Sequence, residues 1–294
     1  MVAQFVAGLS AELPGEAAAK LGLAARLQVM RLRVEAPGSG PDAIHQLRVA
    51  ARRCAAALAA FRNCLKRKDA EQAKALFRTV RRGAGEVRDW DVLLGMLRRE
   101  ALPCEFLLGY ASGRREGART RFAEMLDESR RRLIKICLRL PNRVRRPAAE
   151  SIRRFRDLAA PFKVRIRSFD RSLRDAPRTA KELHRLRIEA KRVRYGLELF
   201  APCIDPAVLE QVYPRVESLQ DQLGAVQDDA MAVQRLEEAL PLLADAWPQA
   251  RSAIEERIAE LRSRVTAAQI RLEEWRADWL SGGARLKGVL GPSM

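Results

Sequence analysis

The chain has 294 residues, of which 48% are apolar and 31% are charged, so it can bury the core of one large domain or of two modest ones. The 55 basic residues against 37 acidic ones give a net charge of +18. This excess predicts a polyanionic partner: nucleic acid, an anionic membrane surface or an inorganic polyanion. Five scattered cysteines without a C-x-x-C spacing argue against a disulfide framework or a zinc site.

No stretch of the sequence approaches about 18 uncharged apolar residues, and the first residues lack a basic segment followed by an apolar run. We therefore expect a soluble cytoplasmic protein. Ala, Leu, Arg and Glu dominate the composition, which favours helices, and no segment has the alternation of a strand. The predicted fold class is all-α.

The first 140 residues are predicted to form one helical half. Pro and Gly separate its helices, and Gly83 with Gly85 is predicted to end the third of them. The predicted helices cover roughly 14–34, 43–65, 70–82, 89–101 and 113–140.

A short, basic, proline-bounded segment at 141–147 is the predicted linker to a second helical half, 148–280. The second half repeats the order of the first, with a loop around 175–177 and with Gly224 and Pro241 as further breaks. Its predicted helices cover roughly 148–173, a segment ending at 200, 207–223, 228–240 and a long segment ending near 280. The remaining residues, 281–294, are predicted to be a flexible tail.

One short segment occurs in both halves and contains both histidines of the protein. The first copy, HQLRVAARR, begins at His45, and the second, HRLRIEAKRVR, begins at His184, 139 positions later. The segments 85–89 and 224–228 align at the same offset, so forty-odd residues repeat without insertion or deletion. This repeat predicts a duplicated helical bundle whose halves lie around an approximate two-fold axis.

Each copy places its histidine and basic residues on one helix face and its apolar residues on the opposite face. The basic faces comprise His45, Arg48 and Arg52 in the first copy, and His184, Arg187, Lys191 and Arg194 in the second. Like charges three and four residues apart repel by roughly 0.2–0.5 kcal/mol per pair. A multivalent anion would relieve that repulsion, so the pattern favours a groove for a linear polyphosphate over an ordinary solvated face.

The histidines and two pairs of aspartates leave further chemistry open. The histidines share no metal-ligand partner and no companion nucleophile between the copies, so a structural or phosphate-binding role is favoured over metal ligation or catalysis. The carboxylate pairs, Asp89 with Asp91 and Asp228 with Asp229, could bind Mg²⁺. An aspartate just after a glycine-containing turn is more typical of a helix cap, or of a group that orients neighbouring basic side chains.

These motifs resemble those of the CHAD family, the conserved-histidine α-helical domain. The resemblance rests on the two histidine motifs, 45–53 and 184–195, and on the Gly- and Asp-containing motifs at 85–93 and 219–229; it extends over about 15–280. It implies an all-α fold of two pseudo-symmetric four-helix bundles with a basic central cleft. It also implies binding of inorganic polyphosphate and association with polyphosphate granules. Our leading hypothesis is that this binding is not accompanied by catalysis.

Carried over by position, the resemblance implies that ligand contacts come from both copies: His45, Arg48, Arg52, Arg53, His184, Arg187, Lys191, Arg192 and Arg194. We add Arg26 and Arg165, which the same offset pairs. At position 55 this sequence has Ala55, where the family often has an arginine, so the first half is expected to bind less tightly. Some relatives carry a triphosphate-hydrolysing barrel, but its alternating Glu segment is missing here and that activity is not expected.

Two other functions remain as alternatives. A nucleic-acid-binding protein would share the phosphate contacts, but aromatic residues make up only 5% of the chain and none interleaves the basic stripes. A metal-dependent phosphohydrolase would use the two histidines and the aspartate pairs. The leading hypothesis, polyphosphate binding, requires no cofactor and no metal.

Overall fold

A computed structural model of the chain describes residues 4–38, 40–99, 105–147, 153–175, 179–246 and 248–281. Within these ranges the regular secondary structure is helical, which confirms the predicted all-α class. The α helices are α1 (Gly15–Glu35), α2 (Pro41–Ala60), α3 (Arg67–Arg99), α4 (Glu105–Arg139), α5 (Ala160–Arg174), α6 (Ala180–Phe200), α7 (Pro206–Ala246) and α8 (Pro248–Ser281). None of these helices combines the length and the apolar composition that crossing a membrane requires.

The first four helices form a closed bundle in which α1 packs on α2 and α4, and α3 packs on the same two helices. Their buried residues recur every three or four positions, as in Leu23, Leu27 and Met30 of α1, so each helix buries one stripe. In the second half, α6 packs on α5 and α7, and α7 packs on α8. Arg276 of α8 closes this half by donating to the carbonyl oxygen of Leu173 in α5 at 2.6 Å.

The two halves share a continuous core. The ring of Phe155 lies 6.0 Å from that of Phe61, at the end of α2, and 5.2 Å from that of Phe200, at the end of α6. Helix α2 also packs on α6, and α3 packs on α7. The sequence repeat relates α2 to α6 and α3 to α7. The predicted two-fold axis between the halves would bring the members of each pair into contact with one another.

The prediction that Gly83 and Gly85 separate two helices was wrong, because α3 runs without interruption from Arg67 to Arg99. A Cβ atom at Gly83 would lie 2.7 Å from the ring of Phe122 in α4. The glycine therefore permits the close approach of α3 and α4 and does not end the helix.

The breaks predicted at Gly224 and Pro241 were also wrong, since both residues lie inside α7. A proline inside a helix removes one backbone hydrogen bond and costs about 3 kcal/mol. The long packing contact between α7 and α8 offsets that cost, since tertiary packing supplies most of a helix's stability in a protein. Asp89 and Asp228 consequently lie in helix interiors and cannot be the helix caps that the sequence favoured.

Several helix ends differ from their predicted positions. Helix α2 ends at Ala60, short of 65, and α4 begins at Glu105, ahead of 113. The helix predicted from 148 is absent over residues 153–154, where backbone bonds join Gly15 N to Arg153 O at 3.0 Å and Phe155 N to Leu13 O at 2.8 Å. This pairing requires extended backbone, so a 3₁₀ helix follows at Phe155–Ala159 and α5 begins only at Ala160.

The predicted linker is attached to the first half. Leu140–Arg143 is a 3₁₀ helix, Arg143 pairs with Asp69 at 2.6 Å, and the backbone of Arg145 donates to Cys64 O at 2.9 Å. The division into halves at 141–147 stays a prediction. The predicted tail lies outside the described residues except for residue 281, as does most of the predicted loop at 175–177.

Gly196 and Gly224 provide a test of packing in the second half. A Cβ atom at Gly196 would lie 2.0 Å from the buried ring of Phe162, whereas nothing lies within 4 Å of a Cβ atom at Gly224. We expect Gly196→Ala to lower the free energy of unfolding by about 1–3 kcal/mol through overpacking. Gly224→Ala should raise it by about 0.5–1 kcal/mol through helix propensity. Urea denaturation measures both, and equal effects of the two substitutions would contradict this packing.

Candidate functional site

The two repeated segments lie on α2 and α6, whose starts are fixed differently. Pro41 occupies the first turn of α2, where its missing N–H is not needed. At α6, Thr179 accepts a bond from Glu182 N at 3.2 Å, and Thr179 N donates to the Glu182 carboxylate at 3.0 Å. This reciprocal capping box sets the start of α6 and hence the phase of its basic face.

Four basic residues converge where α2 packs on α6: Arg48, Arg52, Arg187 and Lys191. We call these four residues the central basic cluster. All four are half-buried, and within the described ranges none of them has a carboxylate at ion-pair distance. Arg48 donates through Nη1 to Ala84 O at 3.3 Å, and Nε of Arg187 is buried without a hydrogen-bond partner among the described residues. The cluster therefore holds positive charge that the neighbouring described residues leave largely uncompensated.

Burial and the repulsion of neighbouring cations lower the pKa values of Arg48, Arg187 and Lys191. Burial lowers the pKa of Lys191 to about 6, helped by the charges of Arg52 and Arg187. Burial also lowers the pKa of Arg48 to about 10, with Arg52 as the strongest of the neighbouring cations. Each cation here thus makes the charged form of the next less favourable, which a bound anion would reverse.

Gly85 of α3 makes room for one member of the cluster. A Cβ atom at this position would lie 3.2 Å from Nη1 of Arg48, closer than a comfortable contact. A larger residue at this position would therefore require the guanidinium of Arg48 to shift by a few tenths of an ångström. Its repeat equivalent, Gly224, has open space around it.

Two aspartates approach the central basic cluster from the neighbouring helices. Asp89 of α3 acts on Arg48 and Arg187, and Asp228 of α7 acts on Arg187 and Lys191. Burial raises the pKa of both carboxyl groups, although these cations oppose the shift. The aspartates therefore offset part of the positive charge, in line with the orienting role that the sequence left open.

The other members of the aspartate pairs face the outer helices. Asp91 is buried and accepts from Arg115 of α4 at 2.6 Å, and Asp229 accepts from Arg264 of α8 at 3.0 Å. These two carboxylates join helices within each half. No group of three or more metal-binding side chains occurs in the described part of the chain.

The histidines lie at the edge of the cluster. His45 is half-buried, and burial lowers its pKa together with the charges of Arg88, Arg52 and Arg48. His184 is exposed, and its Nδ1 forms a hydrogen bond with Oε1 of Gln227 at 2.9 Å. Neither contact resembles a metal site or a nucleophile–base pair.

Three other predicted arginines surround a buried carboxylate instead. Glu198 of α6 is 1% exposed and accepts from Arg53 at 2.7 and 3.0 Å. Arg26 and Arg194 approach the same carboxylate at 3.6 Å. Tyr213 also donates to it at 3.3 Å. We call this group the Glu198 network.

The Glu198 network joins α1 and α2 of the first half to α6 and α7 of the second. Arg194 is further held by Glu217 at 2.5 Å, and Arg26 donates to Gln4 O at 2.6 Å. These internal partners favour a structural role for Arg26, Arg53 and Arg194, whose predicted ligand contacts stay a prediction. Of the remaining predicted residues, Arg165 is half-buried and Arg192 is exposed, and Arg192 lies near enough to Arg165 to lower its pKa.

Comparison with known proteins agrees with this architecture. The family model described as "CHAD domain" matches residues 22–237. The chain belongs to the CHAD family. The match confirms the resemblance that the motifs suggested and covers most of both predicted halves.

Two solved structures share the fold of this CHAD domain. The CHAD domain from the plant Ricinus communis superposes with a TM-score of 0.68 at 22% sequence identity, covering 92% of this chain and 93% of that one. PptA from Streptomyces chartreusis superposes with a TM-score of 0.66 at 17% identity, covering 89% of this chain and 99% of that one. No curated protein matches the chain in sequence.

Sequence reasoning missed several residues that face the central basic cluster of this CHAD domain. Arg88 lowers the pKa of His45, and Arg81 is close enough to Arg52 that this neighbour lowers its pKa. The two arginines stand seven positions apart on α3, which places them on one helix face. The seven-residue spacing of these two arginines could have been recognised in the sequence. The pairing of Glu198 with Arg53 could not, because nothing near either residue in the sequence indicates its partner.

Removing the buried charge of Glu198 should destabilise the CHAD domain strongly. Glu198→Gln would leave three buried or half-buried arginines without their shared carboxylate, so we expect a loss of about 3–5 kcal/mol in the free energy of unfolding. The matched control is Glu86→Gln, which breaks an exposed ion pair with Arg121 and should cost less than about 1 kcal/mol. Similar losses in urea denaturation for both variants would contradict the role of the network.

Proposed function

We propose that this CHAD domain binds inorganic polyphosphate at the central basic cluster and catalyses no reaction there. The observation that carries the proposal is the convergence of Arg48, Arg52, Arg187 and Lys191 without a paired carboxylate among the described residues. Phosphate oxygens bound there would form charge-assisted hydrogen bonds with guanidinium groups whose planar donors match them.

The length of the basic faces supports a polymer over a single phosphate. At about 1.5 Å rise per residue, His45 and Arg52 are roughly 10 Å apart along α2, and the equivalent face of α6 lies beside it. A linear chain can contact several cations in succession and release their counterions. Affinity should therefore fall steeply with ionic strength.

A cavity between two helices of the first half is a weaker candidate. It has a volume of about 400 Å³ and lies between α3 and α4, lined by Asp69, Arg132 and Arg139 among others. The carboxylate of Asp69 there pairs with Arg143, so part of the positive charge is already neutralised. A linear polymer also requires an extended basic surface more than an enclosed volume.

Nucleic acid remains the alternative ligand because it offers the same phosphates. Base stacking on aromatic side chains adds about 1–3 kcal/mol per base in single-strand binders. Trp90 of α3 is buried at 1% exposure, and Arg114 and Arg235 lie over its ring. It offers no free face for a base, which favours polyphosphate. We further propose that polyphosphate binding associates the protein with polyphosphate granules in the cytoplasm.

Charge reversal at the centre of the cluster tests the proposed function. We expect the double variant Arg48→Glu, Arg187→Glu to bind long-chain polyphosphate at least about 100-fold more weakly, because two cations become repulsive carboxylates. Fluorescence anisotropy with a labelled polymer measures the affinity, and circular dichroism checks that the helices remain.

The matched control carries the same change in net charge elsewhere. Arg98→Glu with Arg99→Glu alters two exposed arginines at the end of α3 and should reduce affinity by less than about tenfold. Equal losses in the two double variants would mean that net charge alone drives binding. Displacement of polyphosphate by RNA or DNA at equal phosphate concentration would favour the nucleic-acid alternative.

Binding should also be linked to proton uptake by Lys191. Below its pKa of about 6 the amine is already charged, but above it a bound polyanion must draw a proton onto the amine. Affinity should therefore fall as the pH rises from about 6 towards 8.

Calorimetric titration at about pH 8 in buffers of different ionisation enthalpy measures this uptake directly. We expect Lys191→Met to abolish most of it and His45→Asn to retain it, although His45 also faces the cluster and has a lowered pKa. No proton uptake by the unmodified protein would contradict the expected linkage.

A further inference from the structure

The last turns of α4 carry a second concentration of positive charge, on a different side of the molecule. Between residues 130 and 143 the sequence has six basic residues and no acidic one. Arg131, Arg132, Lys135 and Arg139 are all exposed, and their spacings of three and four residues place them on one side of the helix. Because α4 packs on α1 and α3, it lies diagonally opposite α2 in the bundle, and this side of α4 is remote from the central basic cluster.

Two adjoining hollows lie along this side of α4. The first has a volume of about 400 Å³ and lies between α4, the start of α3 and the 3₁₀ helix that follows α4. The second has a volume of about 350 Å³, is more open, and is lined by residues of α4. Lys135 and Arg139 line both hollows, so the two form one groove. We call it the α4 groove and define it by Arg131, Arg132, Lys135, Leu138 and Arg139.

Apolar side chains line the α4 groove beside the cations. Ile136 and Leu140 border the first hollow, and Ile134 and Leu138 border the second. Leu138 is 53% exposed, and both isoleucines are half-buried. A single exposed leucine on a protein surface is ordinary. A leucine inside a groove that further apolar residues continue provides a surface on which another apolar side chain can be buried.

The cations of the α4 groove are not neutralised by the described part of the chain. The one carboxylate that lines the groove there, that of Asp69, pairs with Arg143 at 2.6 Å. Asp127 and Glu128 lie one helical turn before the groove, but among the described residues no carboxylate is within ion-pair distance of its four cations. The groove therefore presents its charge to a ligand from outside.

The combination of charge and apolar surface favours an acidic protein segment as the ligand. Carboxylates of such a segment would complement the cations, and its apolar side chains would fill the hollows. Polyphosphate has no apolar group to bury against Leu138, and a bilayer surface is too flat to fill the hollow between α3 and α4. The end of the chain is unsuitable because residues 282–294 contain two basic residues and no acidic one.

We propose that the α4 groove docks an acidic, leucine-containing segment of a partner protein. The docking goes beyond the proposed function and does not depend on it. Because α4 lies diagonally opposite α2, the groove and the central basic cluster can be occupied at the same time. Together the two surfaces would make the domain an adaptor that attaches a partner protein to polyphosphate.

A designed peptide tests the docking on the full-length protein. The probe is a labelled peptide of about 14 residues of Glu, Ala and Leu, with its leucines three and four positions apart. A second peptide of the same net charge has glutamine in place of every leucine. At an ionic strength of about 0.15 M, where long-range attraction is screened, we expect the leucine peptide to bind at least about fivefold more tightly. Fluorescence anisotropy measures both affinities.

Substitutions in the α4 groove separate its two contributions. Lys135→Gln with Arg139→Gln removes the cations that line both hollows and should weaken binding of the leucine peptide roughly tenfold. Leu138→Gln should weaken binding of the same peptide about fivefold and leave binding of the glutamine peptide unchanged. All three replaced side chains are exposed, so the helices should persist, which circular dichroism checks.

Matched controls change the same kinds of residue elsewhere. Arg98→Gln with Arg99→Gln removes two exposed charges at the far end of α3, and Ile270→Gln replaces a residue of α8 that is 64% exposed. Both controls should bind the leucine peptide as the unmodified protein does. Equal affinity of the unmodified protein for the two peptides, or equal losses in the groove variants and the controls, would overturn the proposal.

Two further outcomes would assign the α4 groove to another ligand and overturn the proposal as well. One is binding of phosphatidylserine vesicles that Lys135→Gln with Arg139→Gln abolishes, without binding of the leucine peptide. The other is displacement of the peptide from the Arg48→Glu, Arg187→Glu variant by long-chain polyphosphate at an equal concentration of negative charge. Since the peptide titrations themselves contain no polyphosphate, their failure would leave the proposed function standing.

Discussion

The fold of this CHAD domain depends on the carboxylate of Glu198, which lies buried where the two helical halves meet. Three arginines and a tyrosine share it, and they come from α1, α2, α6 and α7. A buried carboxylate without these partners would cost several kcal/mol, and the arginines without the carboxylate would cost as much. The network therefore holds α2 against α6 in one arrangement, and that arrangement brings the basic faces of the two helices together.

The same contact between α2 and α6 thus contains two opposite electrostatic environments. In the Glu198 network, arginines and a carboxylate neutralise one another out of water. In the central basic cluster, Arg48, Arg52, Arg187 and Lys191 are left with Asp89 and Asp228 as partial compensation. Repulsion within this cluster lowers the free energy of unfolding when no ligand is bound, and binding sites commonly carry such a cost in stability. A bound polyanion would offset this loss, both by its contacts with the basic side chains and by reducing their mutual repulsion.

Helical periodicity was sufficient to predict the class of the fold and the members of the central basic cluster. Residues three, four and seven apart share a face regardless of tertiary detail, so Arg48 with Arg52 and Arg187 with Lys191 followed from spacing alone. Periodicity did not distinguish the arginines that form internal ion pairs from those of the central basic cluster. Arg53 pairs with a carboxylate 145 positions away, and nothing near it in sequence indicates that partner.

Glycine and proline misled the prediction of helix ends for a physical reason. Local propensity treats them as helix breakers, but the long contacts of α3 with α4 and of α7 with α8 outweigh a local cost of about 1–3 kcal/mol. Gly83 and Gly85 are used for close approach by Phe122 and Arg48, which only the packed structure reveals.

The proposed function requires a phosphate polymer to lie between the basic faces of α2 and α6. A crystal structure of the protein with bound polyphosphate would show whether it does. We expect phosphate groups within hydrogen-bond distance of Arg52, Arg187 and Lys191, with the Glu198 network unchanged. A polymer bound along the basic surface of α4, with no phosphate near these three residues, would contradict it.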